Sequence, residues 1–307
     1  MEWDTGRFEQ AAELLPREMR YALMRLTAEE MAAAEEIRLR AGRGLSVVCG
    51  GEERFVVNGQ GLSVYPGDLD MVLQLATQAS AHTALERVRG GFVTVRGGHR
   101  IGICGTAVVR DGVIANLDRL SSLSIRIARE VRSAAAMVLP EIHRGGVFES
   151  TLLISPPGVG KTTLLRDIIR RLSSGEGCAP VRVGLADERG EVAAMYDGQP
   201  QMEVGPRTDV MDACPKAEGL LMLLRGMNPQ VLAADEITAP ADCGALEMAA
   251  NCGVKLLATA HAATAEELAR RPLYRALLAQ RVFKRLVVIR AEGRDRVYTV
   301  EPVPEPE

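Results

Sequence analysis

Short apolar runs alternate with helix-like stretches through the second half of the chain. The apolar runs span 151–154, 181–186, 231–234 and 256–259, and the helical patterns span 161–172, 209–225 and 241–251. Apolar strands separated by helices indicate a parallel sheet that is covered on both faces. The runs at 282–289 and 296–300 add the pattern of a closing β-hairpin. We therefore predict an α/β domain over residues 146–300.

The first half of the chain has shorter elements and more turns. Helical spacing of apolar residues occurs at 8–15, 16–26, 28–38, 68–87 and 130–143, and β-like runs occur at 45–49, 55–57, 92–95, 100–104, 106–109 and 124–128. Thr27 is placed to cap the helix that begins at residue 28. The pattern predicts a smaller α+β domain over residues 1–145, ending in a linker. The proline-rich tail at 301–307 is predicted to be disordered.

Composition narrows the classes of function. The 307 residues carry a net charge of −3 and 4% aromatic residues, and the pI is about 6.0. These values argue against bulk binding to nucleic acid or to an anionic membrane. No run approaches about 18 apolar residues, so the sequence predicts no membrane-spanning helix. The six cysteines include no Cys-x-x-Cys pair, which favours reduced thiols and a cytoplasmic location.

A phosphate-binding loop follows the apolar run at 151–154. Residues 155–163 read SPPGVGKTT, which matches the P-loop pattern G-x-x-x-x-G-K-[ST] except that Ser155 replaces the first glycine. Backbone N–H groups of such a loop surround the β-phosphate at a helix N-terminus. Lys161 would bridge the β- and γ-phosphates, and the Thr162 hydroxyl would hold Mg²⁺. The residues predicted to bind the nucleotide, ATP, are Pro157, Gly158, Val159, Gly160, Lys161, Thr162 and Thr163.

Lysine is scarce, which makes the position of each lysine informative. Lysine occurs only at positions 161, 216, 255 and 284. Lys161 stands at the key position of the phosphate-binding loop. We expect the other three lysines to be solvated.

Acidic side chains follow the apolar run at 231–234. Asp235 and Glu236 come directly after it, and a parallel sheet delivers such residues to the edge where the P-loop lies. Asp235 is predicted to join the magnesium shell and Glu236 to polarise the attacking water. Residues 187–191, which read DERGE, end another strand at the same edge. Glu188 and Glu191 are therefore alternative candidates for positioning water or magnesium.

The run at 256–259 leads to a further pair of polar residues. Thr259 and His261 lie at its exit. A polar side chain at this place can contact a γ-phosphate and report its loss. We therefore predict that His261 acts as a sensor of the nucleotide state.

Several of these motifs together resemble the type II and type IV secretion and pilus ATPases. Residues 224–237 resemble the Walker B region of that superfamily, with Asn228 and Gln230 in place of two aspartates. Residues 253–262 resemble its His box, with Val254 in place of the first histidine, and 187–191 falls where its acidic box falls. Within the superfamily, the stage III sporulation AA family is the nearest match. The segments that carry this match are 98–105, 121–130, 156–163, 186–191 and 258–262.

The resemblance implies a RecA-like, Mg²⁺-dependent ATPase that forms a ring, expected to be a hexamer. It further implies a peripheral position at the cytoplasmic face of a membrane, reached through membrane proteins of a sporulation complex. Such a complex is needed for the channel between the mother cell and the forespore. In related secretion ATPases, arginines of the N-terminal domain reach the nucleotide. Arg100 and Arg126 hold the matching positions and are the candidates here, with Arg96, Arg119 and Arg129 as second choices.

Three other functions stay open at this point. A RecA-like ATPase that acts on nucleic acid is the main alternative, although the low pI and few aromatic residues disfavour it. A small-molecule P-loop kinase is the second alternative, and the two-domain layout and His box argue against it. The third is an assembly scaffold that binds ATP with little hydrolysis, which the Ser155 departure keeps open.

Overall fold

The computed structural model describes residues 4–56, 62–77, 91–293 and 295–303. Contacts divide the chain into two compact units, the first comprising Met1–Arg129 and Tyr196–Gln201 and the second comprising Glu130–Met195 and Met202–Glu307. The division between domains at residue 145 stays a prediction, but these units separate earlier along the chain. The reason is that Ala135, Val138 and Ile142 belong to the same apolar core as the helix that follows the P-loop.

Unit 1 is built on a six-stranded antiparallel sheet. Its helices are α1 (Gly6–Ala12), α2 (Arg17–Leu23), α3 (Ala28–Ala33) and α4 (Pro66–Thr77). Its strands are β1 (Ala34–Arg40), β2 (Ser46–Cys49), β3 (Glu52–Phe55), β4 (Phe92–Thr94), β5 (Arg100–Arg110) and β6 (Val113–Arg126). The strand order is β3-β2-β1-β6-β5-β4. This confirms the small α+β domain that the sequence indicates.

The helix predicted at 28–38 is wrong in its second half. Thr27 caps α3 as predicted, accepting a hydrogen bond from the Glu30 amide. The chain then changes to strand at Ala34, because from there its apolar residues alternate: Ile37 and Leu39 are buried, while β1 pairs with β2 and β6 on its two sides. Alternation of this kind is the strand period rather than the helical one.

Other boundaries in the first 145 residues also differ from the prediction. The runs at 100–104 and 106–109 form one strand, β5, and the run at 124–128 is the end of the longer strand β6. The helix predicted at 130–143 is reduced to a short α5 (Leu139–Ile142), preceded by turns. Residue 57 and the part of the predicted 68–87 helix beyond residue 77 lie outside the described residues.

A buried histidine makes the stability of unit 1 depend on pH. The His99 ring is fully buried, and its Nδ1 accepts a hydrogen bond from the Ala128 amide at 3.1 Å. Burial, with a contribution from the Arg7 charge, lowers the pKa of His99 from 6.5 to about 4. The unfolded chain therefore binds a proton that the folded chain resists. The stabilisation is complete above pH 6.5 and is lost as pH falls toward 4.

We expect the free energy of unfolding to fall by about 2 kcal/mol between pH 7 and pH 5 because of His99. Urea unfolding of the full chain at the two pH values measures this difference. The matched control is His99→Asn, whose side-chain oxygen can still accept the hydrogen bond from the Ala128 amide but does not titrate. An equal pH dependence in the two proteins would contradict the assignment.

Unit 2 contains a seven-stranded sheet flanked by helices. From residue 143 onward the strands, in chain order, are β7 (His143–Arg144), β8 (Val147–Phe148), β9 (Thr151–Ser155), β10 (Val183–Asp187), β11 (Met195–Tyr196), β12 (Gln199–Pro200), β13 (Thr208–Asp212), β14 (Val231–Ala234), β15 (Lys255–His261), β16 (Arg285–Glu292) and β17 (Asp295–Pro302). β11 and β12 pair with each other and lie mainly within the segment Tyr196–Gln201 of unit 1, and the other strands belong to unit 2. Besides α5, its helices are α6 (Lys161–Ser174), α7 (Lys216–Gly226), α8 (Pro240–Asn251), α9 (Ala265–Arg270) and α10 (Pro272–Ala279). The sheet order is β13-β10-β14-β15-β9-β16-β17.

The sheet is parallel except at one edge. β13, β10, β14, β15, β9 and β16 run parallel, and β17 closes the sheet antiparallel to β16 as the predicted hairpin. This confirms the α/β class. The predicted helix at 209–225 is wrong at its start, because 208–212 forms the edge strand β13 and α7 begins only at Lys216. The disorder predicted for 301–307 is wrong at its start, since β17 continues to Pro302; residues 304–307 lie outside the described residues.

Topology brings the candidate chemistry to one edge of this sheet. β10, β14, β15 and β9 are consecutive neighbours, and their carboxyl ends point the same way. Each strand ends at or next to a polar residue that the sequence singled out: Asp187, Asp235, His261 and Ser155. This is the edge where ligands bind in open α/β sheets.

Candidate nucleotide-binding and hydrolysis site

The P-loop joins the buried strand β9 to helix α6. Gly158 and Gly160 have φ angles of +74° and +110°, a region that side chains rarely adopt. Ser155 has no positive φ, so the backbone at this position does not require the glycine of the usual motif. The departure at Ser155 therefore leaves the loop conformation intact.

Lys161 is held inside the loop by protein oxygens. Its side chain is 5% exposed, and the three N–H donors of Nζ are shared among nearby acceptors, which include the Ser155 carbonyl at 3.1 Å, the Ser155 hydroxyl at 3.2 Å and the Pro156 carbonyl at 3.1 Å. A fourth contact joins Nζ to His261 Nδ1 at 2.8 Å. Burial lowers the pKa of Lys161, and the charges of Asp235 and Glu236 oppose this effect.

Thr162 and Asp235 form the pair predicted to hold magnesium. The Thr162 hydroxyl donates to Asp235 Oδ2 at 2.8 Å, and the Thr259 hydroxyl donates to Asp235 Oδ1 at 2.5 Å. Burial raises the pKa of Asp235, although the two hydroxyl donors act in the other direction. Mg²⁺ prefers oxygen ligands and is commonly bound through one or two carboxylates plus substrate phosphates. This donor set fits Mg²⁺, and Thr162 and Asp235 would hold it.

Glu236 has both carboxylate oxygens engaged. Oε1 lies 2.6 Å from His261 Nε2, and Oε2 accepts from Arg189 Nη1 at 2.7 Å. Its backbone has φ +50°, a conformation that costs a non-glycine residue about 1–3 kcal/mol and that clusters at functional sites. The amide of Glu236 donates to the Thr259 hydroxyl at 2.8 Å. Glu236 is thus aimed by contacts on its side chain and on its backbone.

His261 links the P-loop lysine to the candidate base. Because Nδ1 faces the Lys161 ammonium, which can only donate, Nδ1 must be the acceptor. The ring proton of the neutral form then lies on Nε2 and is donated to Glu236 Oε1. Occupation of the site by a phosphate would compete for Lys161. His261 is therefore placed to couple nucleotide binding to the state of Glu236.

The acidic residues of the segment 187–191 make different kinds of contact. Asp187 is buried and accepts hydrogen bonds from the amides of Glu191, Val192 and Ala193; burial raises the pKa of Asp187 against these donors. Asp187 therefore shapes the loop. Glu188 Oε2 lies 3.4 Å from Lys216 Nζ. A small polar pocket at the sheet edge is lined by Asp187, Glu188, Arg189, Glu191, Lys216, Asp235 and Glu236.

Two residues of this pocket were missed by sequence reasoning. Arg189 lies within the acidic segment, but its side chain pairs with Glu236. Lys216 was expected to be solvated, which is wrong: its side chain is 5% exposed, and Nζ donates to the Glu236 carbonyl. The scarcity of lysine was the available signal, because each of the four lysines was worth inspecting.

The candidate arginines of unit 1 occupy adjacent strands. Arg100 on β5 pairs in register with Arg126 on β6. The Arg100 guanidinium lies 3.4 Å from the Phe92 ring centroid, and Arg126 Nε lies 3.8 Å from Glu36 Oε1. The second choices are Arg96, in a 3-10 turn, Arg119, which lies 3.8 Å from Asp118, and Arg129, which donates to the Ala34 carbonyl at 2.6 Å. That any of them reaches a nucleotide stays a prediction.

The parallel sheet, the glycine-containing loop before α6, and the polar strand ends together define a RecA-like P-loop protein with a smaller N-terminal α+β unit. Residues 5–300 match the family model of sporulation stage III, protein AA. The chain belongs to this family, which confirms the resemblance drawn from the sequence motifs.

Comparisons with known proteins agree with this assignment. The chain is 38% identical over 287 residues to the stage III sporulation protein AA of Bacillus subtilis (strain 168), a match that covers 92% of this chain and 91% of the relative. The structure of the ATPase DotB of Legionella pneumophila aligns with TM-score 0.57 and 17% identity, over 96% of this chain and 78% of DotB. The pilus retraction motor PilT, solved with bound ADP, aligns with TM-score 0.62 and 16% identity, over 90% and 82%. These two structures share the fold.

Proposed function

We propose that this protein binds ATP with Mg²⁺ and hydrolyses it. The observation that carries the proposal is the convergence of Lys161, Thr162, Asp235 and Glu236 at one sheet edge, where Thr162 contacts Asp235 directly and His261 links Lys161 to Glu236. Magnesium would supply charge neutralisation at the phosphates, and Thr162 with Asp235 would hold it. Glu236 would orient the attacking water. PilT, which shares the fold, was solved with bound ADP, and we extend nucleotide binding to this chain.

The larger role is proposed on the family assignment. We infer that the protein acts as a homo-oligomeric ring, a hexamer, that drives a secretion-type complex in the membrane between the mother cell and the forespore. Within the described ranges, no helix combines the length and apolar character needed to cross a bilayer. On the family assignment we infer that contact with the membrane complex is made through protein partners, and that Arg100 and Arg126 reach the nucleotide when the ring closes.

Phosphate release by the full-length protein tests the proposal. We expect hydrolysis of ATP that requires Mg²⁺, is abolished by EDTA, and increases on assembly or on addition of the soluble parts of membrane partners. Light scattering with a non-hydrolysable ATP analogue measures the assembly. Nucleotide binding with no phosphate release in any of these conditions would support a scaffold instead. Stimulation by DNA or RNA alone would support a nucleic-acid-dependent ATPase.

A further inference from the structure

Lys216 is a buried cation placed behind the candidate base. It is the first residue of α7, and its side chain is 5% exposed. Its Nζ donates to the Glu236 carbonyl at 2.5 Å, and it lies 3.4 Å from Glu188 Oε2 and 3.9 Å from Asp242 Oδ2. An ammonium has three donors and no acceptor, and here it donates to the Glu236 carbonyl while two carboxylates lie within 4 Å of it. Lysine is rarely buried without such partners.

The contact with Glu236 acts on its backbone. Glu236 has φ +50°, which turns its carbonyl away from the line of strand β14. On one side of this residue, its amide donates to the Thr259 hydroxyl. On the other side, Lys216 holds the carbonyl. The two contacts together fix the left-handed conformation that points the carboxylate toward His261.

The same ammonium organises the turn that follows Glu236. Asp242 Oδ2 accepts from the amides of Thr238 and Ala239, at 3.0 Å each, and lies beside Lys216. The turn from β14 into α8 is thus attached to α7 through one cation. Removal of the cation would leave the Asp242 carboxylate without its positive partner and the Glu236 carbonyl without its donor.

The ion pair with Lys216 gives Glu188, one of the alternative bases, a different partner from that of Glu236. Glu188 and Glu236 line the same pocket. Glu188 faces Lys216, whereas the Glu236 carboxylate faces His261 and Arg189. Lys216 therefore engages Glu188, while the Glu236 carboxylate stays in contact with His261.

We propose that Lys216 is a positioning residue for hydrolysis: it locks the Glu236 peptide in its left-handed conformation and engages Glu188, so that the Glu236 carboxylate is held in place to face the attacking water. The catalytic consequence rests on the proposed ATPase function. The structural consequence, a locked peptide at 236–239, does not depend on it.

The test compares Lys216→Met and Lys216→Arg with Lys284→Met, which removes an exposed lysine of the same unit. In Lys216→Met we expect the dissociation constant for a fluorescent ADP analogue to stay within about threefold, while kcat falls about 10- to 100-fold, since small misplacements of a reacting group have effects of this size. KM should change much less than kcat. Lys216→Arg should recover part of kcat, and Lys284→Met should match the unaltered protein.

A second measurement needs no turnover. Hydrogen exchange of the nucleotide-free protein should become faster in Lys216→Met at residues 236–242, with other segments of unit 2 unchanged. If Lys216→Met fails to fold, Lys216→Met combined with Glu188→Gln removes one unpaired carboxylate and is measured in its place.

The outcomes separate the two proposals. If the unaltered protein releases no phosphate, the proposed ATPase function fails, and the exchange at 236–242 still decides whether Lys216 locks the peptide. If the unaltered protein hydrolyses ATP, an unchanged kcat in Lys216→Met overturns the positioning role. Parallel loss of nucleotide binding and of exchange protection throughout unit 2 also overturns it, because that result assigns Lys216 to general stability.

Discussion

Replacing Lys161 with alanine is expected to abolish nucleotide binding at ordinary nucleotide concentrations. The P-loop lysine is a buried charge whose present partners are carbonyl, hydroxyl and imidazole acceptors, and bound phosphates would replace part of that set. Truncating one partner of a buried charged pair costs about 2–5 kcal/mol, which corresponds to a rise in the dissociation constant of about 30- to 5,000-fold. Equilibrium binding of a fluorescent ADP analogue measures this change.

The Lys161 result needs two controls. Lys284→Ala removes an exposed lysine and should bind like the unaltered protein. Lys161→Met keeps most of the buried stem, so it separates the loss of charge from the loss of packing; it should bind as poorly as Lys161→Ala. Binding of either Lys161 variant within about threefold of the unaltered protein would remove Lys161 from the phosphate site.

The parallel strands of unit 2 were predictable because most of them are short, continuous apolar runs in the sequence. The run at 231–234 coincides with β14, and those at 151–154 and 256–259 fall within β9 and β15. Strands buried on both faces must be apolar, so hydrophobicity alone reveals them. The edge strand β13 is only partly buried and carries two aspartates, so its sequence reads equally well as the start of a helix.

The elements of unit 1 were less predictable because some of its segments fit both a helical and a strand pattern of apolar residues. Residues 28–38 have enough apolar positions for a helix, and only pairing with β2 and β6 decides that residues 34–40 form a strand. The β5–β6 hairpin is interrupted at Gly105 by a register shift, which divides the sequence pattern but not the strand. Tertiary pairing of this kind overrides local spacing.

The site residues that belong to a sequence motif were predictable. The contacts between residues that are distant along the chain were not. Lys161, Thr162 and Asp235 follow from the loop pattern and from the end of an apolar strand. The contact of Lys216 with the Glu236 carbonyl joins residues 20 positions apart, and no pattern of sequence spacing predicts it. The Arg189–Glu236 pair joins two neighbouring strand ends, which requires the order of β10 and β14 in the sheet.

Replacing Glu236 with glutamine is expected to leave ATP binding intact and to reduce kcat by about 100- to 10,000-fold, the usual contribution of a positioned acid or base. Glutamine keeps the size of the side chain, and its oxygen can still accept from His261 Nε2, which now donates to Glu236 Oε1. The glutamine amide cannot accept a proton from the attacking water as a carboxylate does. Single-turnover phosphate release, measured beside binding of a non-hydrolysable ATP analogue, separates the two effects.

The substitution also removes the ion pair between Glu236 and Arg189, so Arg189→Gln is the matched control: it breaks the same pair and keeps the carboxylate. We expect Arg189→Gln to retain far more turnover than Glu236→Gln. Glu188→Gln and Glu191→Gln test the alternative bases, and both should remain active because the contact with His261 belongs to Glu236. Full activity in Glu236→Gln, together with loss in either of these two, would transfer the role of base to that residue.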